Sequence, residues 1–140
     1  MTLIRHLINM ADAVFYFTKL GSTGKIAKYI AERIGAEAVD LSKEPNADPS
    51  KYDRVILGSG VYGGSPSKTI REFTEKHRDS MPKISLYLVC AFKDKKAEDQ
   101  LEKISNELGV ADSIYFNKPR KMFGVEGSKL ELYIESLKKS

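Results

Sequence analysis

Ala13-Val14-Phe15-Tyr16-Phe17, running into Thr18-Lys19-Leu20-Gly21-Ser22-Thr23, is the stretch on which the fold turns. The first five residues are apolar and rich in aromatic and β-branched types, the composition of a strand. From about Thr23 to Ile34 the period changes. Ile26, Ala27, Ile30, Ala31 and Ile34 fall on one helical face, while Lys25, Lys28, Glu32 and Arg33 fall mainly elsewhere, and Gly35 ends the helix. A buried strand, a short polar loop and an amphipathic helix make the opening half of a βαβ unit.

Working outward, the same alternation repeats. Glu37–Leu41 reads as a second strand, and Pro45, Asn46, Asp48 and Pro49 make 42–52 a loop or at most one helical turn. Tyr52–Gly58 is a third strand, ending in Gly58-Ser59-Gly60-Val61-Tyr62-Gly63-Gly64. A helix is expected from Ser65 or Pro66 to about Asp79, with Ile70 and Phe73 inward. Ile84–Phe92 is the longest apolar strand. Lys93–Leu108 is a helix with Ala97, Leu101, Ile104 and Leu108 on one stripe. Asp112–Phe116 is a fifth strand, Asn117-Lys118-Pro119-Arg120-Lys121 a basic loop, and Ser128–Leu137 a last helix burying Leu130, Tyr133, Ile134 and Leu137. Strands alternating with helices predict an α/β fold, a doubly wound five-stranded parallel sheet in three layers. Ligands of such sheets bind beyond the carboxyl ends of the strands. That selects the loops 18–23, 42–52, 58–65, 92–95 and 117–127.

Composition bounds the classes. The 140 residues, 15.7 kDa, suit one domain, expected over 12–140, with residues 1–11 as an N-terminal extension. Hydrophobic residues are 41% and charged residues 30% of the chain, which is not the composition of a disordered protein. No apolar run approaches the roughly 20 residues of a membrane span, and the first ten residues lack the pattern of a secretory signal. A cytoplasmic location without stable membrane insertion is therefore expected. A single cysteine, Cys90, and two distant histidines, His6 and His77, give no disulfide and no metal cluster. The net charge of +4 comes without a basic stripe interleaved with aromatics, so nucleic acid is not an expected partner.

The first loop joins a strand to a helix N-terminus, where amides lack intrahelical partners and the dipole favours negative charge. Thr18, Ser22 and Thr23 add hydroxyls and Gly21 allows close approach, so a terminal phosphate fits. The same Ser22 or Thr23 would equally serve as an ordinary N-cap. Neither nucleotide motif of similar placement is met. Gly24-Lys25 is followed by Ile26, against a Walker A loop, and Gly21-x-x-Gly24 is short of a dinucleotide fingerprint. Asp40, at the end of the second strand, keeps a nicotinamide reading open. In the second loop the glycines allow backbone to lie against a flat ring, on which Tyr62 could stack and to which Ser59 or Ser65 could bond. The alternative is a plain connection with an exposed tyrosine. Cys90 reads as a small buried thiol rather than a redox group. His77 reads as a surface residue near a helix end, and Phe15, Tyr16 and Phe17 read as core.

Three stretches carry a family resemblance: Phe15–Thr23 with its Ile26-Ala27 helix, Tyr52–Gly64, and Phe123-Gly124 followed by Ser128-Lys129-Leu130. Over roughly residues 12–138 the chain resembles the flavodoxin-like FMN-binding proteins, and within them the branch that includes the menaquinone-linked protoporphyrinogen oxidases. The resemblance implies the flavodoxin strand order 2-1-3-4-5 and FMN as cofactor. It puts the phosphate at Thr18, Lys19, Leu20, Gly21, Ser22 and Thr23, with Lys19 and Leu20 acting through their amides. The isoalloxazine would be bordered by Ser59, Gly60, Val61, Tyr62 and Gly63, and by Cys90, Ala91 and Phe92 of a third loop. Lys93 and Lys121 would favour the anionic reduced flavin if their loops fold inward. The implied function is an FMN-binding redox protein, an electron-transfer carrier or a small flavin oxidoreductase, linked to a quinone, a protoporphyrinogen or a redox partner protein. The departures are Leu20 where typical flavodoxins carry a hydroxyl, a third loop without glycine, and a net positive charge. Leu20 and the glycine-free third loop favour one alternative, a flavodoxin-fold interaction module without cofactor; the other alternative, a nicotinamide-nucleotide-binding protein, rests on Asp40.

Overall fold

The computed structural model describes residues 11–19, 21–117 and 125–140, with side chains from Lys129 onward in the last of these segments. The expected extension before Ala11, Leu20, the basic run 118–121 and Phe123-Gly124 lie outside the described residues.

β1 (Asp12–Tyr16), β2 (Glu37–Asp40), β3 (Arg54–Tyr62), β5 (Lys83–Cys90) and β6 (Asp112–Asn117) form a parallel sheet in the order β2-β1-β3-β5-β6. Counting only these parallel strands, that is the expected 2-1-3-4-5. β4 (Ser65–Pro66) is a short antiparallel return on the end of β3. The helices are α1 (Ser22–Ile34), α2 (Lys68–Lys76), α3 (Asp94–Leu108) and α4 (Val125–Lys139), with 3-10 turns at Pro49–Lys51 and Arg78–Ser80.

Strand alternation divides the apolar residues between two cores. From β1, Val14 and Tyr16 point to one side and Ala13 and Phe15 to the other. Val14 and Tyr16 join Ile26 and Ile30 of α1 and Leu130, Tyr133 and Ile134 of α4. Ala13 and Phe15 join Ile70 and Phe73 of α2 and Ile104 of α3. A sheet covered on both faces needs near-continuous apolar strands, which Val55-Ile56-Leu57 and Leu86-Tyr87-Leu88 supply. Glycine caps end two helices: Gly35 (φ 70°) after α1, as expected, and Gly109 (φ 72°) after α3.

The third strand corrects the sequence reading. It does not stop at Gly58 but runs on to Tyr62, and Tyr62 pairs back with Ser65 across Gly63-Gly64. Both glycines have positive φ (58° and 80°), as a two-residue hairpin turn requires, so they make a tight turn rather than a loose loop. The helix after it accordingly begins later than expected, at Lys68. Ser67 is its cap, the hydroxyl accepting from the Ile70 amide at 3.0 Å.

Candidate functional site

Among the cavities, one cleft of about 200 Å³ lies beyond the carboxyl ends of β1, β3 and β5. Thr18, Lys19, Ser22 and Thr23 line it from the first loop. Gly60, Val61 and Tyr62 line it from the β3 hairpin, and Val89, Cys90 and Ala91 from the end of β5. A larger hollow of about 400 Å³ opens near Arg78, Met81 and Gly109. Glu107 in its wall is already paired with Arg71 at 2.7 Å, and among the described residues it is the C-terminal end of α3, not an α-helix N-terminus, that lines it.

The first loop is shaped by its own residues. Thr18 Oγ1 accepts from the Gly21 amide at 2.9 Å, folding the loop on itself. Gly21 then takes φ 95°, a left-handed conformation that disfavours side chains, and occupies the N-cap of α1. Having no side chain, it leaves the first amides of α1 without a cap. The expected alternative, Ser22 or Thr23 as N-cap, does not apply, because both lie inside the helix. Behind the loop, the buried Tyr87 hydroxyl donates to the Thr23 carbonyl at 2.7 Å. Its ring crosses Gly58, where a Cβ would collide with it. Gly58 therefore serves Tyr87 and the seating of α1, rather than the approach of a ligand.

Tyr62 links the first two loops. Its ring folds back over Gly60, where a Cβ would come within 2.8 Å of the hydroxyl. Burial raises its pKa, and a hydrogen bond from the Lys19 amide works against that rise. With 37% of its surface exposed, it forms a rim of the cleft rather than part of the core. Ser59 takes no part in the lining. It is fully buried, its hydroxyl donating to the Gly60 carbonyl at 2.7 Å and accepting from the Ser67 amide at 2.9 Å, so it stiffens the hairpin. Gly63 sits at the hairpin turn, also off the lining.

On the third side, burial pushes the Cys90 thiol upward, against a pull from Lys129 and a hydrogen bond at Phe92. It is therefore a protonated, poorly nucleophilic group at neutral pH. Phe92 turns outward, 46% exposed, with the Lys96 ammonium 5.5 Å from its ring centroid. Val89 is a lining residue that the sequence reading passed over as part of a core strand. Asp40, the residue of the nicotinamide reading, is taken up by Ser42, whose amide and hydroxyl both donate to its carboxylate at 3.0 and 2.7 Å.

The donor set suits an anion followed by a flat apolar group. The uncapped start of α1, with Ser22 and Thr23, contributes one part of the lining, and Gly60, Val61, Val89 and Ala91 another. A phosphate and an aromatic ring joined by a short chain fit that sequence of chemistry. Among the described residues no cluster of side chains could hold a metal ion, and no helix is long and apolar enough to cross a membrane.

The sequence model of the flavodoxin-domain family matches residues 13–123. An uncharacterized protein of Methanocaldococcus jannaschii is 31% identical over 71 residues, 51% of this chain, and the chain spans about half (47%) of that curated relative's length. Among solved structures, a WrbA-like flavodoxin from Agrobacterium tumefaciens aligns with a TM-score of 0.67 and 17% identity, over 93% of this chain and 96% of its own. A flavoprotein from Lactobacillus acidophilus, solved in complex with FMN, aligns with a TM-score of 0.58 and 16% identity, over 87% and 99%. At such identities the likeness is one of fold.

Proposed function

Because the chain belongs to the flavodoxin-domain family, we propose that it is a flavin-binding redox protein that holds FMN in the cleft at the carboxyl edge of its sheet. The observation that carries this reading is the convergence of the uncapped α1 N-terminus and three loop walls on one cleft. In it the amides of α1 and the hydroxyls of Ser22 and Thr23 hold the phosphate, and the helix dipole favours its charge. Gly60 and Val61 lie along one side of the ring, Val89 and Ala91 along another, and Tyr62 closes the rim. Bound FMN would supply reversible electron transfer. The chain's own part is to orient the ring, to keep water from its buried edge and to leave the other edge open to an acceptor. The Cys90 thiol stays protonated and acts as a small apolar wall.

The electron partner is a redox protein or a small acceptor such as a quinone, and a porphyrinogen is the narrowest candidate donor. The chemistry of the walls sets none of these apart, and the sequence resemblance is what brings them forward.

The experiment is a visible spectrum of the purified protein, then FMN titration of any colourless fraction at fixed ionic strength. Flavin bands or saturable one-to-one binding are expected. A well-folded protein that takes up no FMN removes the redox reading and leaves a cofactor-free module of the same fold. Once flavin is bound, turnover with a quinone separates an oxidoreductase from a carrier.

A further inference from the structure

The geometry points to Asn117, on the edge strand β6, as the positioning residue for the third wall of the cleft. Its Nδ2 donates to the Cys90 carbonyl at 3.3 Å and to the Phe92 carbonyl at 2.6 Å. Those two carbonyls flank Ala91, the exposed residue that lines the cleft there. On the same strand, the Tyr115 ring has the Lys129 ammonium 3.5 Å from its centroid. The turn from Ala91 to Asp94 contains no glycine, and Asp94 takes φ 56°, a left-handed conformation that aspartate adopts more readily than most residues. With the carbonyls on both sides of Ala91 held from β6, its height against a ring is set through Asn117.

The inference rests on the flavin reading for what the wall touches, but the brace can be tested without flavin. Cys90 is the chain's single cysteine, 4% exposed, with its S–H directed at the Phe92 carbonyl. Its rate of labelling by dithiobisnitrobenzoate reports whether the turn is held. Asn117→Asp keeps the shape, removes the donor and sets a carboxylate against two carbonyls. In flavin-free protein it is expected to speed labelling about tenfold or more, with Asn117→Ala as the second variant if the first fails to fold. Asn46→Asp, the same change at an exposed site, should leave the rate alone. In the Asn117 variants FMN and riboflavin should lose affinity by the same factor, since the damage is at the ring and the phosphate loop is intact. Unchanged labelling in both Asn117 variants overturns the brace. Loss of FMN affinity without loss of riboflavin affinity overturns its assignment to the ring wall. If labelling speeds up as expected but FMN does not slow labelling of the unmodified chain, the brace stands and the flavin reading is what fails.

Discussion

Asp12 and Arg54 face each other in register on β1 and β3 at the amino edge of the sheet, and there most of the polar groups answer one another, the buried Arg54 Nε excepted. Arg54 Nη2 meets the Asp12 carboxylate at 2.7 Å, its Nη1 bonds the Ser140 hydroxyl, and the Arg54 residue is only 8% exposed. At the carboxyl edge of the same strands the α1 amides have no side-chain cap, and Ser22 and the largely buried Thr23 are among the residues that line an open cleft. One edge spends most of its hydrogen-bonding capacity internally, and the other leaves helix amides uncapped where the proposed ligand would sit. The contrast says that stability and binding are lodged at opposite ends of one sheet and should come apart under mutation.

The largest effect is expected at the amino edge. Asp12→Ala leaves the Arg54 guanidinium buried beside a cavity, which costs about 3–5 kcal/mol. Urea unfolding reads that loss, while FMN affinity per folded molecule should not move. Replacing the pair together, Asp12→Leu with Arg54→Met, should recover most of the stability, because an apolar pair of similar volume removes the unpaired charge. A single-mutant loss below about 1 kcal/mol would mean the pair behaves as a surface ion pair, and the contrast between the edges would fail.

The mirror experiment is Thr23→Ala at the carboxyl edge. It removes a hydroxyl from the proposed phosphate site, and a hydrogen bond to a charged group is worth about 1.5–3 kcal/mol. FMN affinity should fall by that amount. Urea stability should hold or rise slightly, since alanine is the better helix former within α1. Unchanged FMN affinity in folded protein would reject the phosphate assignment. Equal losses in binding and stability would mean the two edges are not separable.

How far the sequence could be read follows the range of the interactions. The alternation of Ala13–Phe17 and the stripe Ile26, Ala27, Ile30, Ala31 are local signals, and they placed β1, α1 and the loop between them within a residue. The β3 hairpin escapes the periodic signal because its return strand is two residues long, too short for any period. The glycine pair was the visible clue, since adjacent glycines are a hairpin signal. Ser59 and Gly58 looked like ligand contacts for the same reason, as small residues in a glycine-rich run. Their real partners, Ser67 and Tyr87, come from elsewhere in the chain. By local sequence Asn117 belongs to a basic loop, whereas its bonds span 27 and 25 residues of sequence. No local pattern announces an interaction of that range.

The smallest expected effect concerns the tyrosines, all of which the fold holds above their ordinary pKa. Burial pushes Tyr87 and Tyr133 far up, with the Tyr133 hydroxyl 2.6 Å from Ser85, and burial with the Glu37 hydrogen bond takes Tyr52 to about 12. The folded state thus holds these protons more tightly than the unfolded chain, whose tyrosines titrate near 10. The stability this contributes is complete below about pH 10 and is lost as pH rises through the folded-state values. Tyrosinate absorbance at 295 nm should therefore show little ionisation near pH 10, followed by a late rise that coincides with loss of helical ellipticity. Tyr62, exposed at the rim of the cleft, should ionise before Tyr87 directly beneath the α1 terminus. Tyr62→Phe should then delete an early step and leave the late one in place, and Tyr87→Phe should move the late one and unseat Thr23. A curve with all seven tyrosines titrating together near 10 while the helices persist would show the Tyr87 hydroxyl free of the Thr23 carbonyl, and the proposed phosphate loop without its support.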